Sequence, residues 1–133
     1  MARKSYYEIA LEDYTASKIL YQSGLYNKSG ISAYECIEKL LKYVINHYEI
    51  SPVELLHSHN LKTLRNSIID YFPDLDFTLE DIGIMTGLYF DLRYPSLDNY
   101  DIDKTKSEEI IDVMERVKKS VEVIIDYSNT SKE

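Results

Sequence analysis

The chain has 133 residues, of which 44% are hydrophobic and 29% charged, the balance of a protein that folds around an apolar core. Its 15 basic and 23 acidic residues leave a net charge of −8. This surplus disfavours broad nucleic-acid binding, which depends on basic side chains that displace counterions from phosphates. No segment reaches the ~20 apolar residues of a membrane-spanning helix, and the first residues lack the apolar run of a signal peptide. We therefore expect one domain, residues 1–133, in the cytoplasm and without membrane contact.

The first two predicted helices follow from the spacing of apolar residues. In residues 5–22 apolar side chains recur every three or four positions, and Gly24 follows the last turn. Residues 28–48 carry the most regular apolar stripe of the chain, and the single cysteine, Cys36, lies within it. Without a second cysteine for a disulfide or a metal site, Cys36 is expected to be a buried, small apolar residue.

Charged side chains share the second predicted helix with this stripe. Glu38 and Lys42 stand four residues apart, as surface ion pairs on helices often do, and Lys39 is their neighbour. We expect these three residues on a solvated helix face, where one of them can pair across the bundle.

The third and fourth predicted helices are bounded by prolines. Residues 60–72 have apolar positions on one face, and Pro73 closes this segment. Thr78 is a typical N-cap for a fourth helix, whose predicted apolar stripe is Leu79, Ile82, Met85 and Tyr89. This helix is expected to end before Pro95, since the residue that precedes a proline is pushed out of the helical region.

The last predicted helix is the longest and follows an acidic loop that ends near Asp103, while residues 128–133 are expected to fray. No stretch shows the period-two alternation of a strand, so the predicted class is all-α. Four amphipathic helices with short loops and a shorter fifth helix bury their stripes most simply as an antiparallel up-and-down four-helix bundle.

Three stretches of the sequence resemble metal-binding motifs, but each lacks a residue that the motif requires. Glu54 and His57 have the i, i+3 spacing of a di-iron ligand pair, but the chain has no second copy. His57 and His59 share a loop with no cysteine or third histidine nearby. The acidic stretch around Asp101 resembles a calcium loop, yet Lys106 occupies the position that requires glycine. We expect no metal and no cofactor.

The most informative pattern is a series of five short motifs, carried in order by the predicted helices. They are Asp13-Tyr14-x-Ala16-x-x-x-Leu20, Gly24-x-Tyr26, Ala33-x-x-x-Ile37-Glu38-Lys39-Leu40-Leu41-Lys42, His59-Asn60-Leu61-x-x-Leu64 and Arg93-Tyr94-Pro95. In this order they resemble the HEPN family, whose name refers to nucleotide binding in higher eukaryotes and prokaryotes. The resemblance spans residues 6–125, nearly the whole chain.

One branch of that family resembles metal-independent ribonucleases with an Arg, four to six residues and then a His, often followed by x-Tyr. Here Arg93 is followed after four residues by Asp98, and Tyr100 stands where the tyrosine of the motif would be. The catalytic histidine is missing, and aspartate is a poor substitute for an imidazole that transfers protons near neutral pH. This departure favours a protein that is not an enzyme. Arg93, Asp98 and Tyr100 are the candidate catalytic residues if RNA is cleaved.

The branch in which Arg-Tyr-Pro is common resembles non-catalytic partners of small nucleotidyltransferases, sometimes as half of a toxin–antitoxin pair. This resemblance implies a nucleotide such as ATP, with Arg93, Tyr94 and His59 as nucleotide- or phosphate-binding residues and Tyr100 as an acceptor of AMP. We also expect a homodimer, because the thirteen tyrosines suit protein interfaces. An RNA-cleaving toxin and a purely structural homodimer remain the alternatives.

Overall fold

The computed structural model describes residues 4–86 and 102–131, and the side chains of the last helix as far as residue 126. These residues form helices α1 (Tyr6–Gln22), α2 (Tyr26–His47), α3 (Leu61–Ile69), α4 (Leu79–Met85) and α5 (Lys104–Ser131), with a 3-10 helix (Val53–His57) before α3. This part of the chain contains no strand, which confirms the all-α prediction for it. The up-and-down order of a four-helix bundle stays a prediction. None of the described helices has the length and apolar character needed to cross a membrane.

Helix α2 is the centre of the packing. Thirteen of its 22 residues are buried, and it contacts α1, α3, α5 and the 3-10 helix. Leu40 and Leu41 of α2 pack in one apolar core with Leu64 of α3 and Met114 of α5. Cys36 is fully buried in this core, as predicted, and burial raises the pKa of its thiol.

Small residues allow α1 and α2 to approach closely. The Ser17 hydroxyl donates a hydrogen bond of 2.8 Å to the carbonyl oxygen of Ser29, and the Ser29 hydroxyl donates one of 2.8 Å to that of Ser17. Both serines are completely buried, as are Ala10 and Ala33 on the same two helices. Because each buried hydroxyl is satisfied by the opposite backbone, the two serines stabilise a contact that larger side chains would separate.

Three tyrosines of α1 bind three glutamates of α5 at intervals of seven residues. Tyr7 donates to Glu122, Tyr14 to Glu115 at 2.8 Å, and Tyr21 to Glu108 at 2.6 Å. The tyrosines and the glutamates are both spaced by seven residues, and the residue numbers rise along α1 as they fall along α5. The three pairs therefore hold α1 and α5 antiparallel in one fixed register. We call these three pairs the tyrosine–glutamate ladder.

Two lysines reinforce the middle of the ladder. Lys18 donates a hydrogen bond of 3.0 Å to Glu115, and Lys118 donates one of 3.0 Å to Glu122. Their ammonium groups lie 5.0 and 4.9 Å from the centre of the Tyr14 ring, within the range of cation–π attraction. Burial would raise the pKa of Glu115, but hydrogen bonds from Tyr14 and Lys18 outweigh burial and lower it. The Glu115 carboxylate therefore stays ionised and available as an acceptor.

The predicted cap of α4 also connects that helix to α5. Thr78 accepts a hydrogen bond from the Asp81 backbone, and the Asp81 carboxylate accepts one of 2.9 Å from the Thr78 backbone, which makes a capping box. Arg116 of α5 donates to the same carboxylate at 2.7 Å. Burial would raise the pKa of Asp81, but the bonds from Arg116 and Thr78 outweigh it, so the pKa is lowered.

Helix α3 is shorter than predicted. It ends at Ile69, three residues before the expected end, and a turn follows in which the backbone N–H groups of Tyr71 and Phe72 both reach the carbonyl of Ile68. Phe72 precedes Pro73, and a residue before proline is disfavoured in the helical region.

Helix α4 is also shorter than predicted, and its stripe is partly wrong. The backbone of Thr86 is extended, with ψ of 134°, so the helix ends at Met85. Tyr89, the last residue of the predicted stripe, lies outside the described residues. Leu79, assigned to the core, is 56% exposed, because at the first position of α4 it projects beyond the packed part of the helix.

Helix α5, by contrast, runs to Ser131, so helical backbone extends into the tail that the sequence predicts to fray.

We expect Tyr14→Phe to lower the free energy of unfolding by about 1 kcal/mol. The ring and its two cation–π contacts remain, but Glu115 loses its hydroxyl donor and Lys18 loses the hydroxyl as an acceptor. Urea denaturation measures this change. Tyr71→Phe is the matched control, because Tyr71 is 66% exposed and its hydroxyl bonds to no described residue. Equal losses in the two variants would contradict a stabilising role for the ladder.

The ladder also predicts a loss of stability in alkali. The hydrogen bond to Glu122, with burial second, raises the pKa of Tyr7 from 10.0 to about 12. The folded chain thus holds this proton more tightly than the unfolded chain, so the stabilisation is complete below pH 10 and is lost as the pH rises towards 12. In urea denaturation across this window, we expect wild type to lose stability more steeply than Tyr7→Phe. An equal dependence of stability on pH in wild type and Tyr7→Phe would contradict the raised pKa of Tyr7.

Candidate functional site

Of the residues that the sequence assigns to the site, His59 is placed by the structure. Arg93, Tyr94, Asp98 and Tyr100 lie outside the described residues, and their roles stay predictions. The candidate site consists of His59 and the groups that contact it.

His59 lies on the coil that leads into α3, and its side chain is 59% exposed. Its ring Nδ1 is 3.2 Å from each carboxylate oxygen of Glu38. Because an ionised carboxylate only accepts hydrogen bonds, this contact favours the proton on Nδ1. The Tyr34 hydroxyl donates a bond of 2.6 Å to the His59 carbonyl, so α2 holds both the ring and the backbone of this residue.

The structure overturns the solvated position predicted for Glu38 and Lys42. Glu38 is 1% exposed and Lys42 is 4% exposed, and the Lys42 ammonium lies 3.1 Å from Glu38 Oε2. The cause is the central position of α2, whose polar side is covered as well as its apolar stripe. Lys39 is partly exposed, and its ammonium lies 3.4 Å from the same oxygen. The expected pairing therefore occurs, but inside the protein and within one helix.

The surrounding cations keep Glu38 ionised despite its burial. Burial alone would raise the pKa of this carboxyl. The charge of Lys39 and the hydrogen bonds from Lys42 and His59 outweigh that effect, so the pKa lies below its ordinary value. A buried carboxylate with several charged or polar partners is stable where a lone one would be protonated.

Helix α1 adds a second carboxyl to this group. Burial raises the pKa of Asp13, and the positive charge of Lys39 opposes that shift. We refer to Asp13, Glu38, Lys39, Lys42 and His59 as the acid–base cluster. Two carboxylates balance two ammonium groups in its formal charge.

The exposed edge of the cluster is able to bind anions. His59 and Lys39 contact the same buried carboxylate and are its two solvent-accessible nitrogen groups. An ammonium and a protonated imidazole both donate strong hydrogen bonds to phosphate oxygens. An imidazole held at Nδ1 by a carboxylate is also oriented for proton transfer at Nε2.

Within residues 4–86 and 102–131, no three histidine, cysteine, aspartate or glutamate side chains lie close enough together to hold a metal ion. Glu54 and His57, the pair with di-iron spacing, are both exposed on the 3-10 helix.

The comparison with protein families decides the identity. The family model for the HEPN domain matches residues 4–124. The chain belongs to the HEPN domain family. This confirms the family predicted from the five motifs and makes the protein a nucleotide- or RNA-related module. No curated protein and no solved structure matches the chain.

The burial of the Glu38–Lys42 pair in this HEPN protein predicts a strong effect of breaking it. We expect Lys42→Met to lower the free energy of unfolding by about 3 kcal/mol, because a buried carboxylate loses its closest cation. Urea denaturation of the single variant and of the double variant Glu38→Gln/Lys42→Met measures the effect.

The double variant should recover part of this loss, because it removes the uncompensated charge together with its partner. Lys62→Met, on an exposed position of α3, is the control. A single variant as stable as this control would show that Glu38 does not depend on Lys42.

Proposed function

We propose that this HEPN protein is a non-catalytic module that binds a nucleotide such as ATP and works with a small nucleotidyltransferase. The observation that carries the proposal is the contact of the exposed His59 and the partly exposed Lys39 with the buried carboxylate of Glu38. His59 belongs to one of the five motifs that predict the family, and it is the assigned phosphate-binding residue that the structure describes.

In this proposal the phosphates lie at the exposed edge of the acid–base cluster. A protonated His59 ring donates a charge-assisted hydrogen bond to a phosphate oxygen. The Lys39 ammonium supplies a second donor to the phosphate. The buried Glu38 carboxylate contacts both the Lys39 ammonium and the His59 ring and keeps them in position. Arg93 adds a guanidinium that can bind phosphate in bidentate fashion, and Tyr94 lies beside it in the sequence.

The proposed module is a homodimer and forms a toxin–antitoxin pair with its transferase. The Arg93-Tyr94-Pro95 pattern supports the partnership with the transferase, and the thirteen tyrosines support the homodimer. Within the pair, Tyr100 accepts AMP from the transferase.

Calorimetric titration with ATP tests the nucleotide site. We expect binding below millimolar concentration, and a loss of about tenfold in affinity for His59→Ala and for Lys39→Ala, since each removes a charged or polar donor to phosphate. Lys62→Ala is the matched control, because this exposed lysine of α3 is not part of the cluster. No heat of binding at millimolar ATP, or equal affinity in all variants, would contradict the site.

A separate experiment tests the partner. The tagged protein is purified from its own cells, and everything it retains is measured by intact-mass spectrometry. We expect a nucleotidyltransferase, together with a mass increase of one AMP that disappears in Tyr100→Phe. Recovery of the protein alone, as an unmodified dimer, would contradict the partnership and favour a structural homodimer.

RNA cleavage is the second candidate function, and the Glu38–His59 contact favours it. An imidazole oriented by a carboxylate can accept the proton of a ribose 2′-hydroxyl, which is the task of the histidine missing near Arg93. Incubation of mixed RNA with chelator tests this candidate, with cleavage expected in wild type and lost in His59→Ala and Arg93→Ala. Intact RNA in the wild-type reaction would remove it.

A further inference from the structure

A cavity of about 300 Å³ lies at the carboxyl end of α2, between that end and the 3-10 helix. Ile45 and Ile50 line it and are almost completely buried, while Leu56 is partly buried and Val53 is 68% exposed. Glu49 lines it as well. We call this cavity the Glu49 pocket. The lining of this pocket shares no residue with the acid–base cluster, so the two are separate.

The main chain of Glu49 adopts a conformation that seldom suits glutamate. Its φ is +52°, in the left-handed region, where glycine or asparagine usually ends a helix. The N–H of Ile50 bonds to the Ile45 carbonyl at 3.0 Å, and the N–H of Glu49 bonds to the Asn46 carbonyl at 3.3 Å. This is the pattern of a Schellman motif. Any glycine would form the same turn without strain, so the turn by itself does not account for a carboxylate here.

The mouth of the pocket is negative. Within the part of the chain that the structure describes, the Glu49 carboxylate forms no ion pair and no hydrogen bond. The carboxyl end of α2, a helix of 22 residues, adds the negative end of the helix dipole at the same place. The floor formed by Ile45 and Ile50 is apolar. The pocket thus combines an apolar floor with an unbalanced negative charge.

We propose that the Glu49 pocket binds an arginine side chain presented by a partner protein. The methylene groups of arginine suit the apolar floor, and its guanidinium can bind the Glu49 carboxylate with two parallel hydrogen bonds. A phosphate group would be repelled by the same carboxylate, and a small hydrated cation would gain nothing from the isoleucine floor. Arginine is also enriched at the centres of protein interfaces.

Amide chemical shifts of the isotope-labelled protein test this proposal, with acetyl-leucyl-arginine amide as the probe. We expect shifts confined to residues 45–56. The citrulline analogue has the same shape without the charge, and it should bind about tenfold more weakly. Glu49→Gln should weaken binding of the arginine probe by the same factor. Glu54→Gln, on the neighbouring 3-10 helix, should leave it unchanged.

Glu49→Gly provides a variant that folds without the strain of a left-handed glutamate. This variant should unfold at a higher temperature than wild type. Its affinity for the arginine probe should nevertheless be lower, because it lacks the carboxylate. ATP should leave the amides of residues 45–56 unshifted, so failure of the nucleotide site is distinguishable from failure of this pocket.

Three outcomes would overturn the proposal: no shifts with the arginine probe, equal binding of the citrulline analogue, or full binding by Glu49→Gln. Equal or tighter binding of a phenylalanine analogue would show that the pocket takes an apolar side chain, and this would overturn it as well.

Discussion

The reciprocal hydrogen bonds between Ser17 and Ser29 fix the distance between α1 and α2, and the other contacts depend on that distance. Because only small side chains separate the two backbones, Asp13 of α1 lies close enough to Lys39 for their charges to interact. The same position lets α1 reach α5 with its tyrosines. One pair of serines thus sets both the surroundings of the acid–base cluster and the distance across which the ladder forms.

A central helix gives the acid–base cluster its properties. On an exposed helix, Glu38 and Lys42 would exchange partners with water, and His59 would turn freely above them. In α2 they are covered, so their mutual attraction acts in a less polar environment and holds the ring in one orientation. The cost of burying these charges is offset by their pairing, and the His59 ring remains accessible to solvent at the edge of the cluster.

Local sequence patterns predicted the helices and the Thr78 cap, because apolar periodicity and capping act over a few residues. They did not predict the burial of Glu38 and Lys42, since spacing of four residues describes a surface pair equally well. The ladder was visible as tyrosines and glutamates spaced by seven residues, but local rules do not pair segments a hundred residues apart. The motifs predicted the family and named His59 as a candidate binding residue. They did not predict the orientation of its ring, which depends on a contact between α2 and the coil before α3.

The tyrosine–glutamate ladder also limits how α1 and α5 can move relative to each other. A slide of α5 by one turn would break all three hydrogen bonds to glutamate. Two would re-form only after a slide of seven residues, about 10 Å. Small graded displacements are therefore unfavourable, and the two helices behave as one rigid body along their axes. Relative motion of α1 and α5 is thus limited to a tilt or a separation and excludes a small translation along their axes.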